Sequence, residues 1–122
     1  MSDKPIPTEL NLHRRSGVLD IVFTTQEHFS LSAEYLRVFS PSAEVRGHGP
    51  NDWTWAFGKE AVKIASIEPV GNYAVTLHFD DGHNTGIYTW ETLHELGVHH
   101  EDYWQRYLDA CEAAGRPRRQ GA

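Results

Sequence analysis

The dipeptide Asp81-Gly82 lies inside a run from Tyr73 to Trp90 in which apolar and polar residues alternate. Aspartate followed by glycine favours the type I′ turn of a two-residue β-hairpin, because both central positions of that turn need positive φ. Glycine adopts positive φ without steric cost. The pattern therefore predicts an antiparallel hairpin with its tip at this dipeptide, and a fold built around a sheet.

The predicted register sorts the hairpin residues into two faces. A two-residue loop pairs Asp80 with His83, His78 with Thr85, Thr76 with Ile87 and Val75 with Tyr88. The predicted core face carries Tyr73, Val75, Leu77, Phe79, Tyr88 and Trp90. The predicted polar face carries Thr76, His78, Asp80, His83 and Thr85. Two imidazoles and a carboxylate would then lie near the turn, which is the nearest approach to a chemical site in this run.

Periodicity and turn residues predict the remaining elements. The predicted β elements are a second hairpin from Leu10 to Thr24, a strand from Phe29 to Leu31 and a strand from Ala61 to Glu68 whose frame slips at Ser66. The predicted helices are a short one capped by Ser32 and stopped by Pro41, a short one capped by Thr89 and ended by Gly97, and an amphipathic one from about His100 to Ala114. Residues 40–58, rich in glycine and proline, form a long loop. The expected class is α+β, with antiparallel hairpins and a C-terminal amphipathic helix.

Length and charge limit the organisation of the chain and its partners. The 122 residues fit one domain, expected over residues 10–115 between a flexible segment at 1–9 and a basic tail at 116–122. The formal charge of −6 argues against nucleic acid and anionic membranes as partners. The single cysteine, Cys111, excludes an intrachain disulfide, and no apolar run approaches a membrane span, so a cytoplasmic location is expected.

Two motifs carry a resemblance to a known family. The first is Tyr35-Leu36-Arg37 followed by Ser40-Pro41-Ser42. The second is Asp80-Asp81-Gly82-His83 followed by the run from Tyr88 to Leu93. In this order they resemble the N-terminal domain of gamma-butyrobetaine hydroxylase and its small stand-alone bacterial relatives of unknown function. The likeness extends from about Leu10 to Glu95 and implies the same fold.

The resemblance also implies a position for a metal. In the hydroxylases, three cysteines and the histidine of the Asp-Gly-His-like turn bind a structural zinc. The cysteine positions fall on Ser40, Ser42 and Val45 of this chain, and the histidine position falls on His83. Neutral serine and valine side chains cannot replace thiolates on zinc, so the zinc site is not expected here. The chain also lacks the separate dioxygenase domain that holds iron and 2-oxoglutarate in such enzymes.

The expected function is that of a non-catalytic accessory domain that binds a protein partner and needs no cofactor. The resemblance implies this role, because the chain looks like a domain that occurs as an appendage of 2-oxoglutarate dioxygenases and of P-loop iron–sulfur carrier proteins, whose neighbouring domains carry out the chemistry. No catalytic constellation is recognisable, and Cys111 lies in the apolar stripe of the last helix, where a thiol is usually a buried hydrophobe. The sequence therefore favours a protein that is not an enzyme.

Two sets of candidate site residues follow. The long loop is the segment least explained by sheet or helix formation, so the binding surface is placed on Arg46, His48, Trp53 and Trp55. The alternative is a zinc- or iron-binding protein, linked to iron–sulfur assembly or to a dioxygenase, with ligands His83, His78, Asp80 and His48. For His83 alone, a turn histidine bonded to Asp80 is the simpler interpretation.

Overall fold

The computed structural model describes residues 5–42 and 55–116 of the chain. Its strands are β1 (Pro7–His13), β2 (Val18–Phe23), β3 (His28–Ser32), β4 (Ile64–Val70), β5 (Ala74–Phe79) and β6 (Ile87–Thr89). Its helices are α1 (Ala33–Val38), α2 (Trp90–Val98) and α3 (His100–Ala113). The strands form two antiparallel sheets in the orders β1-β2-β3 and β4-β5-β6, which confirms the predicted α+β class.

The same arrangement of three antiparallel strands followed directly by a helix occurs twice. Strand β3 leads into α1 and strand β6 leads into α2. In both units the last strand residue caps the helix, because Ser32 Oγ accepts the Tyr35 N–H at 3.0 Å and Thr89 Oγ1 accepts the Thr92 N–H at 3.1 Å. Both hydroxyl residues satisfy backbone donors that have no partner within the helix, as the sequence predicts.

Two buried tyrosines tie the units together. The hydroxyl of Tyr35 on α1 donates to the Leu96 carbonyl of α2 at 2.6 Å, and the hydroxyl of Tyr88 on β6 donates to the Leu36 carbonyl of α1 at 2.5 Å. Around them lies one buried cluster drawn from both sheets and all three helices, including Leu19, Ile21, Leu31, Val38, Ile64, Leu77, Phe79, Leu93 and Tyr107. Neither unit therefore buries its apolar face alone.

The central hairpin differs from the prediction at its tip. Gly82 donates its N–H to the Phe79 carbonyl at 3.1 Å, and Phe79 donates to the His83 carbonyl at 3.0 Å. Within this loop Gly82 alone has positive φ, at 92°. This is a turn centred on Asp80 and Asp81 with glycine as the bulge residue, the usual geometry of a three-residue loop. The predicted two-residue type I′ turn is wrong, and His83 lies opposite Phe79 rather than Asp80.

Further from the tip the predicted register is confirmed. Val75 pairs with Tyr88 and Thr76 pairs with Ile87. The extra residue in the loop is therefore compensated between His83 and Ile87, outside the regular strand. Because one residue of slip reverses the faces, His83 points to the core side and is only 8% exposed. The prediction that placed His83 beside His78 on the polar face is wrong for this reason.

Two further predictions need correction. Tyr73, assigned to the core face, is 51% exposed because it lies in the turn before β5. Gly97, predicted to end the helix after Thr89, lies inside α2. A Cβ atom at Gly97 would come within 2.5 Å of the Phe29 ring, so this glycine is required by helix-to-strand packing rather than by a helix end. The bulge expected near Ser66 is present.

The ends of the described chain also bear on the predictions. Strand β1 begins at Pro7, inside the segment that was expected to be flexible. Helix α3 ends before Gly115, which has φ of 65° as a glycine beyond a helix should. Among the helices of residues 5–42 and 55–116, none combines enough length and apolarity to cross a membrane.

Candidate functional site

The predicted metal ligands on the central hairpin do not converge. His78 lies on the face opposite His83, with its Nε2 atom 3.8 Å from a Glu68 carboxylate oxygen. Asp80 accepts the backbone N–H of Lys63 at 3.1 Å. The fourth predicted ligand, His48, lies outside the described residues. Within the described ranges no three histidine, cysteine or acidic side chains are placed to hold a metal ion.

His83 is instead part of a buried hydrogen-bonded cluster with the segment that follows α1. The Ser40 hydroxyl lies 2.9 Å from His83 Nε2 and accepts the backbone N–H of Ser42 at 3.2 Å. The hydroxyls of Ser42 and Thr85 are 2.7 Å apart. A Cβ atom at Gly86 would overlap Ser40 Oγ, so the two segments approach as closely as a glycine permits. Hydrogen bonds thus join residues that are 43 positions apart in the chain.

These contacts decide what the cluster can do chemically. Ser40 is fully buried and His83 nearly so, and a nucleophile must be accessible to its substrate. The zinc site implied by the family resemblance also does not fit. Ser40 and Ser42 present neutral hydroxyls already bonded within the cluster, and His83 is its one imidazole among the residues that the structure describes. The third cysteine-equivalent position, Val45, lies outside the described residues. The cluster joins the segment after α1 to the segment that follows the hairpin tip.

Asp81 forms an ion-pair network beside this cluster. Its carboxylate lies 2.9 Å from Arg37 Nε and 2.7 Å from Lys59 Nζ, and it accepts the backbone N–H of His83 at 3.1 Å. Burial alone would raise the pKa of Asp81, but the hydrogen bonds from Lys59, from the His83 backbone and from Arg37 outweigh it and lower the pKa to about 2. The hairpin tip is therefore tied to α1 and to the segment before β4.

The predicted binding loop is described only at its end. Arg46, His48 and Trp53 lie outside the described residues. Trp55 packs against Phe39, with ring centroids 5.6 Å apart, and against Tyr107, at 5.8 Å. Its ring is partly buried against the core. Aromatic side chains are commonly buried in this way against a core.

A different feature of the described chain is an open cleft beside strand β3. It has a volume of about 570 Å³ and lies between β3 and the junction of α2 with α3. Its lining consists of His28, Phe29, Ser30 and Leu31 from the strand and of Gly97, Val98, His99, His100, Glu101 and Asp102 from the helices. The Phe29 ring, packed against Gly97, forms the apolar floor of the cleft. Val98, next to Gly97 in the chain, is 49% exposed.

The hydrogen-bonding pattern shows which backbone groups of β3 face this cleft. Phe23 donates to the Glu27 carbonyl at 2.9 Å, so this pair is a hydrogen-bonded one. Paired residues alternate in an antiparallel ladder, which makes Ile21 with Phe29 the next hydrogen-bonded pair. The N–H and C=O groups of His28 and Ser30 therefore point away from β2. Strand β3 is the edge of its sheet, and within residues 5–42 and 55–116 no strand pairs with that side.

Sequence reasoning missed this cleft. The predicted strand Phe29–Leu31 carried no signal of its position in the sheet. A prediction of sheet order could have found the edge. The side chains of the cleft come from elements that are about seventy residues apart in sequence, so no local motif marks them.

Comparison with known proteins places the chain in a family. The model of the gamma-butyrobetaine hydroxylase-like N-terminal domain matches residues 10–94. A crystal structure of a protein of unknown function from Acidithiobacillus ferrooxidans, assigned to the DUF971 family, is 39% identical, with a TM-score of 0.64 over 75% of this chain and 92% of that one.

Two NMR solution structures are similar over nearly the whole chain. One is 48% identical with a TM-score of 0.81, covering 97% of this chain and 88% of that one. The other is 39% identical with a TM-score of 0.80, covering 98% and 95%. No curated protein matches the chain significantly. The fold, the matched residues and these structural relatives agree, and the chain belongs to the gamma-butyrobetaine hydroxylase-like N-terminal domain family.

Proposed function

We propose that this domain is a non-catalytic binding module that captures an extended segment of a protein partner along strand β3. The observation that carries the proposal is the set of unpaired backbone N–H and C=O groups of His28 and Ser30 beside an open cleft. A peptide added to a sheet edge gains main-chain hydrogen bonds, and its alternate side chains enter neighbouring pockets. The cleft is large enough to take such side chains.

The other sheet edges support the choice of β3. Exposed edges are normally protected by proline, charge, bulges or short length. Strand β1 starts with Pro7 and has a register shift there, β4 contains Pro69 and a bulge, and β6 is only three residues long. Strand β3 has five residues in unbroken register, without proline or a lysine. It is the edge of the described sheets that is least protected against pairing.

The remaining chemistry of the described residues is consistent with a binding role. The serine–histidine pair formed by Ser40 and His83 is buried, and among residues 5–42 and 55–116 the ligands of the metal-binding alternative do not converge on the hairpin. The proposal also includes a protein partner and a cytoplasmic location, which are predictions from the sequence. The proposed binding role is also supported by the resemblance to domains that accompany catalytic domains.

A single substitution tests the proposal. Ser30→Pro removes the outward N–H from β3, a position where an edge strand tolerates proline. Ser30→Ala is the matched control, because it also loses the 2.5 Å hydrogen bond to Asp20 but keeps the N–H. Peptides are selected on the full chain from a phage-displayed random octapeptide library. The selected peptides are then titrated into ¹⁵N-labelled protein.

We expect selected peptides to shift the amide resonances of His28 and Ser30, to bind Ser30→Ala like the unaltered chain and to lose binding to Ser30→Pro. Thermal unfolding of both variants checks that the fold is retained. Peptides that bind Ser30→Pro as tightly as Ser30→Ala, or a selection without any binder at β3, would refute the proposed function.

A further inference from the structure

We infer that the segment captured along β3 carries a lysine or arginine whose charged end lies against Glu101 and Asp102 at the start of α3. This inference rests on the proposed function and names the chemistry of the partner. Both carboxylates line the same cleft as the outward-facing backbone of His28 and Ser30. A cation on the added strand would therefore be held within the cleft that receives the strand.

The charge of the cleft points to a basic partner. Its lining contains two carboxylates, three imidazoles from His28, His99 and His100, and no lysine or arginine among the described residues that form it. With the histidines neutral, as in the formal charge of −6 for the chain, the lining carries a charge of −2. Complementary charge steers partners and disfavours those of like charge.

Arg106 and the positive end of α3 offset only part of this charge. Arg106 lies one turn further along α3 and contacts Asp102 at 3.2 Å, with both side chains mainly exposed. The carboxylate of Asp20, on β2 opposite Ser30, lies outside the lining and is already bonded to Ser30 and to His13. The partial positive charge of the first turn of α3 is met by its own two carboxylates, so it does not favour an anionic partner.

The apolar floor sets the spacing of the expected motif. Gly97 packs on the Phe29 ring, so the end of α2 lies on the Phe29 face of the strand. Side chains of an added strand alternate between faces and repeat on one face every two residues, about 6.6 Å apart. One side chain of the partner would cover Val98, which is 49% exposed, and the next on that face would reach the carboxylates. The expected motif is an apolar residue and a basic residue two positions apart.

Charge reversal at the cleft tests the inference. Glu101→Lys is compared with Glu112→Lys, since both residues are exposed on α3 but Glu112 lies at its opposite end. The probes are the octapeptides selected from the random library, with their basic residue kept, changed to glutamine or changed to glutamate. Affinities are measured by titration of the full chain at low and high salt.

We expect lysine or arginine two positions from an apolar residue in the selected peptides. Glutamine at the basic position should weaken binding by about two- to fivefold, and glutamate by more. Glu101→Lys should remove the preference for the basic peptide, and Glu112→Lys should not. High salt should reduce the difference between the peptides.

The outcomes separate the two proposals. Selected peptides that need the Ser30 N–H but show no basic residue, or that bind Glu101→Lys and Glu112→Lys alike, overturn the inference and leave the proposed function standing. Peptides that bind Ser30→Pro as tightly as Ser30→Ala, or a selection without any binder at β3, overturn the proposed function itself.

Discussion

Asp81 offers the sharpest test of how the hairpin tip is held. Its carboxylate contacts Arg37, Lys59 and the His83 backbone N–H, and its pKa falls from the usual 3.8 to about 2. At 1.36 kcal/mol for each pH unit, that difference corresponds to at most about 2.4 kcal/mol of folding free energy. The turn backbone is exposed and solvent screens the charges, so we expect about 1–2 kcal/mol.

The sign of the pH dependence follows from the direction of the shift. Because the pKa of Asp81 is lower in the folded protein, its contribution is complete above the unfolded-state pKa near 4 and is lost as the pH falls towards 2. Asp81→Asn should therefore unfold at a lower urea concentration at pH 7. The difference between the variant and the unaltered chain should shrink as the pH falls from about 4 to 2.

Urea unfolding followed by tryptophan fluorescence measures this effect at several pH values. Glu112→Gln, an exposed carboxylate at the far end of α3, is the matched control and should change stability by less than about 0.5 kcal/mol. If Asp81→Asn and the unaltered chain differ by the same amount at pH 7 and at pH 3, the ion pairs contribute nothing through ionisation of Asp81. The reasoning would then be refuted.

Two further predictions concern glycine geometry. Gly97→Ala should destabilise the domain by about 1–3 kcal/mol, because its Cβ would meet the Phe29 ring at 2.5 Å; an unchanged urea midpoint would contradict this packing. Gln26→Gly should stabilise by about 1 kcal/mol, because Gln26 has φ of 71° in the turn between β2 and β3, where L-residues are strained. A lower melting temperature for Gln26→Gly would show that the side chain offsets that strain.

The turns between β2 and β3 and between β5 and β6 show what a local sequence pattern can predict. Asp81-Gly82 correctly marked a hairpin, and the distant pairs such as Val75 with Tyr88 followed from alternation. The loop between β2 and β3 has the same geometry, with Gln26 in the place of Gly82: the Gln26 N–H donates to the Phe23 carbonyl at 2.8 Å. The sequence has no glycine at that second turn, so it gave no sign of the turn geometry. The pairing of β2 with β3 imposes on Gln26 a backbone conformation that glutamine by itself disfavours.

The central hairpin also shows where local pattern stops. In the folded protein Asp81 contacts Arg37 and Lys59, and His83 contacts Ser40. These partners come from α1, from the segment after it and from the segment before β4. Contacts of this kind favour the three-residue loop over the two-residue one, although both suit the sequence. The face on which His83 lies therefore depended on residues more than twenty positions away.

The sequence by itself determined the class of the fold, most of its elements, the caps at Ser32 and Thr89 and the family to which the chain belongs. These features depend on periodicity, turn residues and short motifs, which act over a few neighbouring positions. Only the tertiary structure decided that Ser40 and His83 form a buried pair, that Gly97 receives the Phe29 ring and that β3 is an open edge beside α3. A strand has the same local pattern at an edge as at the centre of a sheet, so its position is set by which elements pack around it.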